Sequence, residues 1–187
     1  MLSPWETEDK YKDTRNAESA SQRALFMFAN MAANFGLNAA DYPDSYRVAG
    51  SAKNIMESMG DKPVTILKYL FAIHNQGHGD AIHGAKAVAE GLKKGVPDLA
   101  LPISIKFNGE FEPWFYHGLY IELKRKEVLT EGKRKALIQA RTAGKASTEQ
   151  EDWQQFLRNQ GYVCEIAYGF VEAKDIILSY LKEGGLI

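Results

Sequence analysis

Gly118-Leu119-Tyr120-Ile121-Glu122-Leu123-Lys124-Arg125 is the stretch whose reading decides the fold. Apolar residues alternate from Leu119 to Leu123, the period of a strand with one buried face. Residues two apart on a strand point the same way, so Glu122 and Lys124 share a face. Upstream, Val96 to Ile105 is a second apolar stretch, interrupted by Pro97 and Pro102, and Asn108-Gly109 is a strong hairpin signal between the two. A two-residue turn at Asn108-Gly109 would set Asp98 opposite Leu119, three residues short of Glu122. Pro113, in Glu112-Pro113-Trp114, calls for a bulge or a wider loop, which would let the two carboxylates meet.

Helical periods surround this hairpin. From Asn16 onward, Leu25, Phe26, Phe28, Ala29, Met31, Ala32 and Phe35 recur at steps of three and four until Gly36. Glu18 and Gln22, four apart, share one face near the start of that helix. A second helix is expected from Ile82 to Lys94, with Ala85, Val88, Ala89 and Leu92 on one stripe and Gly95 as its cap. Ser147-Thr148-Glu149-Gln150 reads as a capping box. The helix it opens is expected to carry Trp153, Phe156 and Leu157 inward and to end at Gly161, before a strand over Tyr162 to Tyr168 and a helix over Val171 to Leu181. The apolar run Val64 to Ile73 is too short to type by its period. Together these elements predict an α/β fold, a central mixed β-sheet flanked by helices.

The 187 residues suit a single domain, with residues 1–15 as an N-terminal arm and 37–62 as an insertion. The turn signals Asp41-Tyr42-Pro43-Asp44, Gly50-Ser51 and Gly60-Asp61 punctuate the insertion around a short helical stretch near Ile55. With 45% apolar and 25% charged residues the composition is globular rather than disordered or fibrous. A net charge of −1 means that any nucleic-acid partner must be served by a local patch. Cys164, the single cysteine, excludes a disulfide framework. No apolar run approaches a membrane span, and Met1 to Lys12 lacks a signal peptide's basic start and apolar core, so the expectation is a soluble protein of the cytoplasm with no membrane partner.

Chemistry concentrates at Asp98, Glu122 and Lys124. Two acidic oxygens aimed at one point suit Mg²⁺, a hard cation held by few carboxylates that keeps several waters. A lysine beside them can orient or deprotonate a water and offset charge building on a phosphate, which adds up to metal-assisted phosphodiester hydrolysis. Glu18 and Gln22 could supply a further carboxylate and a polar anchor. The plainer reading stands beside this one: Pro-Asp is an everyday turn dipeptide, and Glu-x-Lys recurs on strands as a solvated charge row. What separates the two readings is the apolar sequence around Glu122, where an unpaired charge is costly.

From Lys124 to Lys145 runs a basic linker. Lys124, Arg125, Lys126, Lys133, Arg134, Lys135, Arg141 and Lys145 stand there against Glu127 and Glu131, a patch suited to backbone phosphates or a solvated loop face. His74 and His78 have helical zinc spacing, but Gly77 and Gly79 break the helix and no third ligand is evident. Cys164 reads as an inert core thiol. Trp5, Trp114, Phe115 and Tyr116 suit hairpin packing or a subunit contact better than base stacking.

Gly95-Val-Pro-Asp98-Leu99, His117-Gly-Leu-Tyr-Ile-Glu122-Leu-Lys124, Gly144-Lys-Ala-Ser-Thr-Glu-Gln150 with Trp153, and Gly161-Tyr162 follow one another in an order that resembles the VRR-NUC family, the virus-type replication–repair branch of the PD-(D/E)xK nucleases. The resemblance runs from about Glu18 to Leu181. It implies a restriction-endonuclease-like core and a Mg²⁺-dependent DNA endonuclease, with Mn²⁺ able to substitute. Asp98 and Glu122 would be the metal carboxylates, with the Leu123 backbone carbonyl near the metal. Lys124 would be the catalytic lysine, Gln150 the glutamine beside it, and Glu18 a further metal contact through water. Asn75 would lie near the DNA path, and Arg125, Lys126, Lys133, Arg134, Lys135 and Lys145 would contact DNA. The resemblance further implies branched DNA such as a Holliday junction as substrate, a homodimer, and a phage or bacterial setting in replication, repair or recombination. The competing reading is a non-catalytic module that binds branched DNA or a replication partner.

Overall fold

A computed structural model describes residues 17–40, 62–74, 81–108, 113–125, 128–131, 138–141 and 146–187. In chain order the elements are α1 (Ala17–Phe35), α2 (Leu37–Ala40), a short 3₁₀ turn (Thr65–Tyr69) and β1 (Phe71–Ala72). Then come α3 (Ala81–Ala89), β2 (Leu99–Leu101), β3 (Ile105–Asn108), β4 (Pro113–Tyr116) and β5 (Leu119–Lys124). The chain continues through β6 (Val128–Glu131), β7 (Ile138–Arg141), α4 (Thr148–Asn159), β8 (Val163–Tyr168) and α5 (Phe170–Glu183).

Leu119, Ile121 and Leu123 put their side chains into the core from one face of β5. That strand sits inside a four-stranded sheet ordered β1-β2-β5-β8. β1 and β2 are antiparallel, as are β2 and β5, whereas β8 runs parallel to β5, with α4 in the connection between them. The sheet is therefore mixed. Helices α1 and α5 cover the apolar face, where Leu25, Phe28 and Met31 meet Leu99, Leu101, Phe170, Ile177 and Leu181 in one cluster. Each such side chain contributes about 1.5–3 kcal/mol by leaving water. The edge-on contact of Phe28 with Phe170 ties the two helices together. Helix α4 lies on the other face, the one carrying Tyr120, Glu122 and Lys124.

The hairpin differs from a two-residue turn. β3 and β4 pair with Asn108 opposite Pro113, so four residues separate the strands. Residues 102–104 on the outgoing side then face only 117 and 118 on the return, one residue fewer. β2 and β5 consequently pair with Leu99 opposite Ile121. One step further along that register, Asp98 falls opposite Glu122. The wider loop and the extra residue together supply the three-residue correction that the Asn-Gly signal lacked.

Other departures have local causes. Helix α3 stops at Ala89 rather than reaching Lys94, because Gly91 takes a left-handed conformation (φ 103°). The Gly91 amide donates to Val88 and that of Leu92 to Ala87, a Schellman closure centred on Gly91, four residues before Gly95. The basic linker contains an antiparallel ribbon, β6 with β7. On α4 the buried residues are Gln154 and Leu157, and Phe156 points to solvent instead of the core. The proposed arm (1–15) and all of the insertion beyond α2 up to residue 61 lie outside the described residues.

Candidate active site

Antiparallel pairing and the alternation of strands place Asp98, Glu122 and Lys124 on one face of the sheet. β1 continues the same register: the Ile73 amide donates to the Asp98 carbonyl at 2.7 Å. The segment 95–98 is held against the first turn of α4 by a close approach at Gly95. Gly95 has φ +83°, and a Cβ there would lie 2.5 Å from the Glu149 carbonyl carbon. Only glycine accommodates both the conformation and the contact.

At the centre Lys124 Nζ donates to Glu122 Oε1 at 2.8 Å and to Gln150 Oε1 at 2.8 Å. Gln150 Nε2 donates to the same Glu122 oxygen, closing a three-membered ring of side chains. Gln150 also completes the capping box: its Oε1 accepts from the Ser147 amide at 2.9 Å, and its own amide donates to Ser147 Oγ at 3.4 Å. Asp98 Oδ2 accepts from the Leu123 amide at 2.8 Å. A strand residue's N–H and C=O point to the same edge, so the Leu123 carbonyl faces the Asp98 side as well. Glu18, from the start of α1, accepts from the Arg125 amide at 3.2 Å. The structure thus brings Glu18, Asp98, Glu122, Leu123, Lys124 and Gln150 to one end of β5.

Burial sets the electrostatics. Glu122 is 2% exposed and Lys124 8%. Burial is the main force pushing the Glu122 carboxyl up to about 7; the Lys124 hydrogen bond opposes it, and repulsion from Asp98 and Glu18 adds to it. Asp98 is also raised, by burial first, against the Leu123 amide and the Lys124 charge, with Glu18 adding repulsion. Asp98 and Glu122 therefore share one ammonium in a poorly solvated place, with the exposed Glu18 adding repulsion. Glu122 Oε2 is buried without a hydrogen-bond partner among the described residues. Hard oxygen donors, an orphaned carboxylate oxygen and surplus negative charge fit a divalent cation such as Mg²⁺. Among the described residues no group of three or more His, Cys, Asp or Glu side chains is arranged to hold a metal. Asp98 and Glu122 are the two carboxylates that could hold an ion keeping several of its waters.

Of the expected DNA contacts, Arg125 stands half-buried at the end of β5, and its Nε is buried without a partner among the described residues. Asn75, Lys126, Lys133, Arg134, Lys135 and Lys145 lie outside the described residues, as do Trp5 and His78. Cys164 is a buried thiol pushed up to about 11 by burial, inert as expected. Trp114 stacks flat on Phe107 at 5.2 Å, which is hairpin packing. Sequence reasoning missed Gln154, one turn beyond Gln150 and buried with Nε2 lacking a partner among the described residues. Its spacing from Gln150 was the available signal. It also missed Arg158, which donates to the Cys164 carbonyl at 2.6 Å on the outer strand β8.

No family model matches the chain, and no curated protein does. Among solved structures the chain is similar to a VRR_NUC domain protein, at 25% identity and a TM-score of 0.43, over 66% of this chain and 75% of that one. No helix among the described residues is long and apolar enough to cross a membrane.

Proposed function

We propose that this chain is a PD-(D/E)xK-type, Mg²⁺-dependent endonuclease that hydrolyses phosphodiester bonds in DNA, with Mn²⁺ able to replace Mg²⁺. The observation that carries this reading is the buried Glu122–Lys124–Gln150 ring with Asp98 facing it across the β2–β5 register. A salt bridge this dry is a poor stabiliser on its own, because desolvation offsets most of the attraction. Its placement beside a second raised carboxyl fits a catalytic role better.

Asp98 and Glu122 would hold the ion, with the Leu123 carbonyl beside them and Glu18 acting through water. When bound, the cation lowers the pKa of a coordinated water and polarises a phosphoryl oxygen. Lys124 orients the attacking water and offsets charge as the phosphorus becomes pentacoordinate. Gln150 fixes the lysine's ammonium through Oε1 and so sets where that charge sits. Arg125 and the basic residues following it would bind backbone phosphates, which makes affinity fall steeply with salt. The resemblance of these motifs to the VRR-NUC family is what suggests branched DNA, such as a Holliday junction, as substrate. A homodimer would place two such sites for paired cuts, in the cytoplasm of a phage-infected or bacterial cell.

A panel of junction, flap and linear duplex DNA incubated with the protein in Mg²⁺ or EDTA tests the reading. Cation-dependent cutting that vanishes in Asp98→Ala is expected, and cutting that survives that substitution overturns it. The second reading, a DNA-binding module without cleavage, draws on the engagement of Glu122 Oε1 by both Lys124 and Gln150. Calorimetry with Mg²⁺ and Mn²⁺ separates the two: DNA binding without any cation binding favours the module.

A further inference from the structure

Gln154 is 4% exposed on the side of α4 that meets the sheet, and its Nε2 has no hydrogen-bond partner among the described residues. Its neighbours on the same stripe of the helix fix where it lies. Gln150, one turn earlier, donates to Glu122 and accepts from Lys124. Arg158, one turn later, reaches the Cys164 carbonyl at 2.6 Å. In the β5–β8 register Glu122 stands beside Ile166 and Tyr120 beside Cys164, so Cys164 belongs to the row just behind that of Glu122. Residues 150, 154 and 158 advance by about 6 Å per step, close to the spacing of those two rows. Gln154 therefore lies over the gap between them, behind the Glu122 carboxylate. Glu122 Oε2 is likewise buried without a partner among the described residues.

We infer that Gln154 is a positioning residue for Glu122: an internal water accepts from Gln154 Nε2 and donates to Glu122 Oε2, and so fixes the tilt of that carboxylate. The inference rests on the nuclease reading and adds to it a residue that acts through Glu122 and not on the metal itself. The two orphaned groups are a donor and an acceptor on one face of the sheet, with no direct bond between them. An amide buried without an acceptor is costly, and Leu157 beside it shows that an apolar side chain packs on this side of α4. A water with these two partners satisfies both atoms at once. Lys124 and Gln150 hold Glu122 Oε1, but a carboxylate held at one oxygen still rotates about its terminal bond. Water on one lone pair of Oε2 stops that rotation and leaves the other lone pair for a cation shared with Asp98.

Calorimetry with Mn²⁺ in the absence of DNA reads this role without catalysis. Loss of a group that orients a metal ligand costs about 10- to 100-fold in metal affinity. Gln154→Leu and Gln154→Met should each weaken Mn²⁺ binding by that factor. Their urea midpoints in EDTA should equal or exceed that of the wild type, because an apolar side chain of similar shape leaves no amide unpaired. A glutamine that merely packs gives wild-type Mn²⁺ affinity in both variants, and that result overturns the inference. A second measurement needs no variant. In protein carrying ¹⁵N-labelled glutamine, the Gln154 side-chain amide protons should show an Overhauser contact to a bound water, and its absence overturns the bridge. Wild-type protein that binds no Mn²⁺ removes the nuclease reading and this inference with it. Unchanged affinity in the variants, with cutting still lost in Asp98→Ala, removes the role of Gln154 alone.

Discussion

Asp98→Asn should make the metal-free protein more stable while abolishing its proposed activity. Asparagine keeps an oxygen to accept from the Leu123 amide and removes one of the like charges around Glu122. The rise of Glu122 from 4.5 to about 7 corresponds to about 3 kcal/mol of unfavourable ionisation above pH 7. Burial and the opposing Lys124 bond outrank Asp98 among its causes, so relief at Glu122 accounts for about 1 kcal/mol, and loss of the half-buried Asp98 charge brings the gain to about 1–2 kcal/mol. The sign with pH follows from proton binding. Between 4.5 and about 7 the folded state holds a proton on Glu122 that the unfolded chain has released, so its contribution is complete below 4.5 and is lost as pH rises through 7. The gain from Asp98→Asn should thus be full at pH 8 and well under half of that at pH 5. Urea unfolding followed by circular dichroism in EDTA at both pH values measures it. A variant less stable than wild type at pH 8, or one with the same gain at both, would refute the electrostatic account of the site.

Mg²⁺ at millimolar concentration should raise the urea midpoint of the wild type at pH 8 and leave Asp98→Asn unmoved, a thermal or chemical melt being the check. Lys124→Met should cost about 3 kcal/mol at pH 8, because it strands the buried Glu122 charge, and clearly less at pH 5, where Glu122 is protonated. Gly95→Ala should cost more than about 2 kcal/mol through its positive φ and its collision with the Glu149 carbonyl, read as a lowered Tm. Ser147→Ala should lose about 1 kcal/mol of helix capping in the same melt, with Ser147→Asp restoring most of it.

The parts of the fold that were legible in the sequence are those dictated by short-range chemistry. The period of Leu25 to Phe35, the alternation around Glu122 and the box at Ser147–Gln150 each depend on neighbours within one or two turns, and each element stands where it was expected. The parts that were not legible depend on contacts across the chain. The Asn108-Gly109 pair favours a tight turn, but the pairing of Asn108 with Pro113 overrides it. Gly95 looked like a helix cap because Gly91 offered no apolar signal of its own, and the helix closes at Gly91 while Gly95 serves the contact with α4. Phe156 has a core residue's chemistry, but α4 turns Gln154 and Leu157 to the sheet, which leaves Phe156 in solvent. The residues around Asp98 and Glu122 were individually weak signals. Their convergence depends on a one-residue mismatch between 102–104 and 117–118 that no local pattern encodes.

A single amide oxygen, that of Gln150, ends up serving two neighbours that would ordinarily be independent. It closes the opening turn of a helix and also grips an ammonium, so fraying of that turn and misplacement of the lysine become the same event. Warming should then silence the protein some degrees before its secondary structure melts, and exchange of the Gln150 amide proton with solvent would report the loss as it happens.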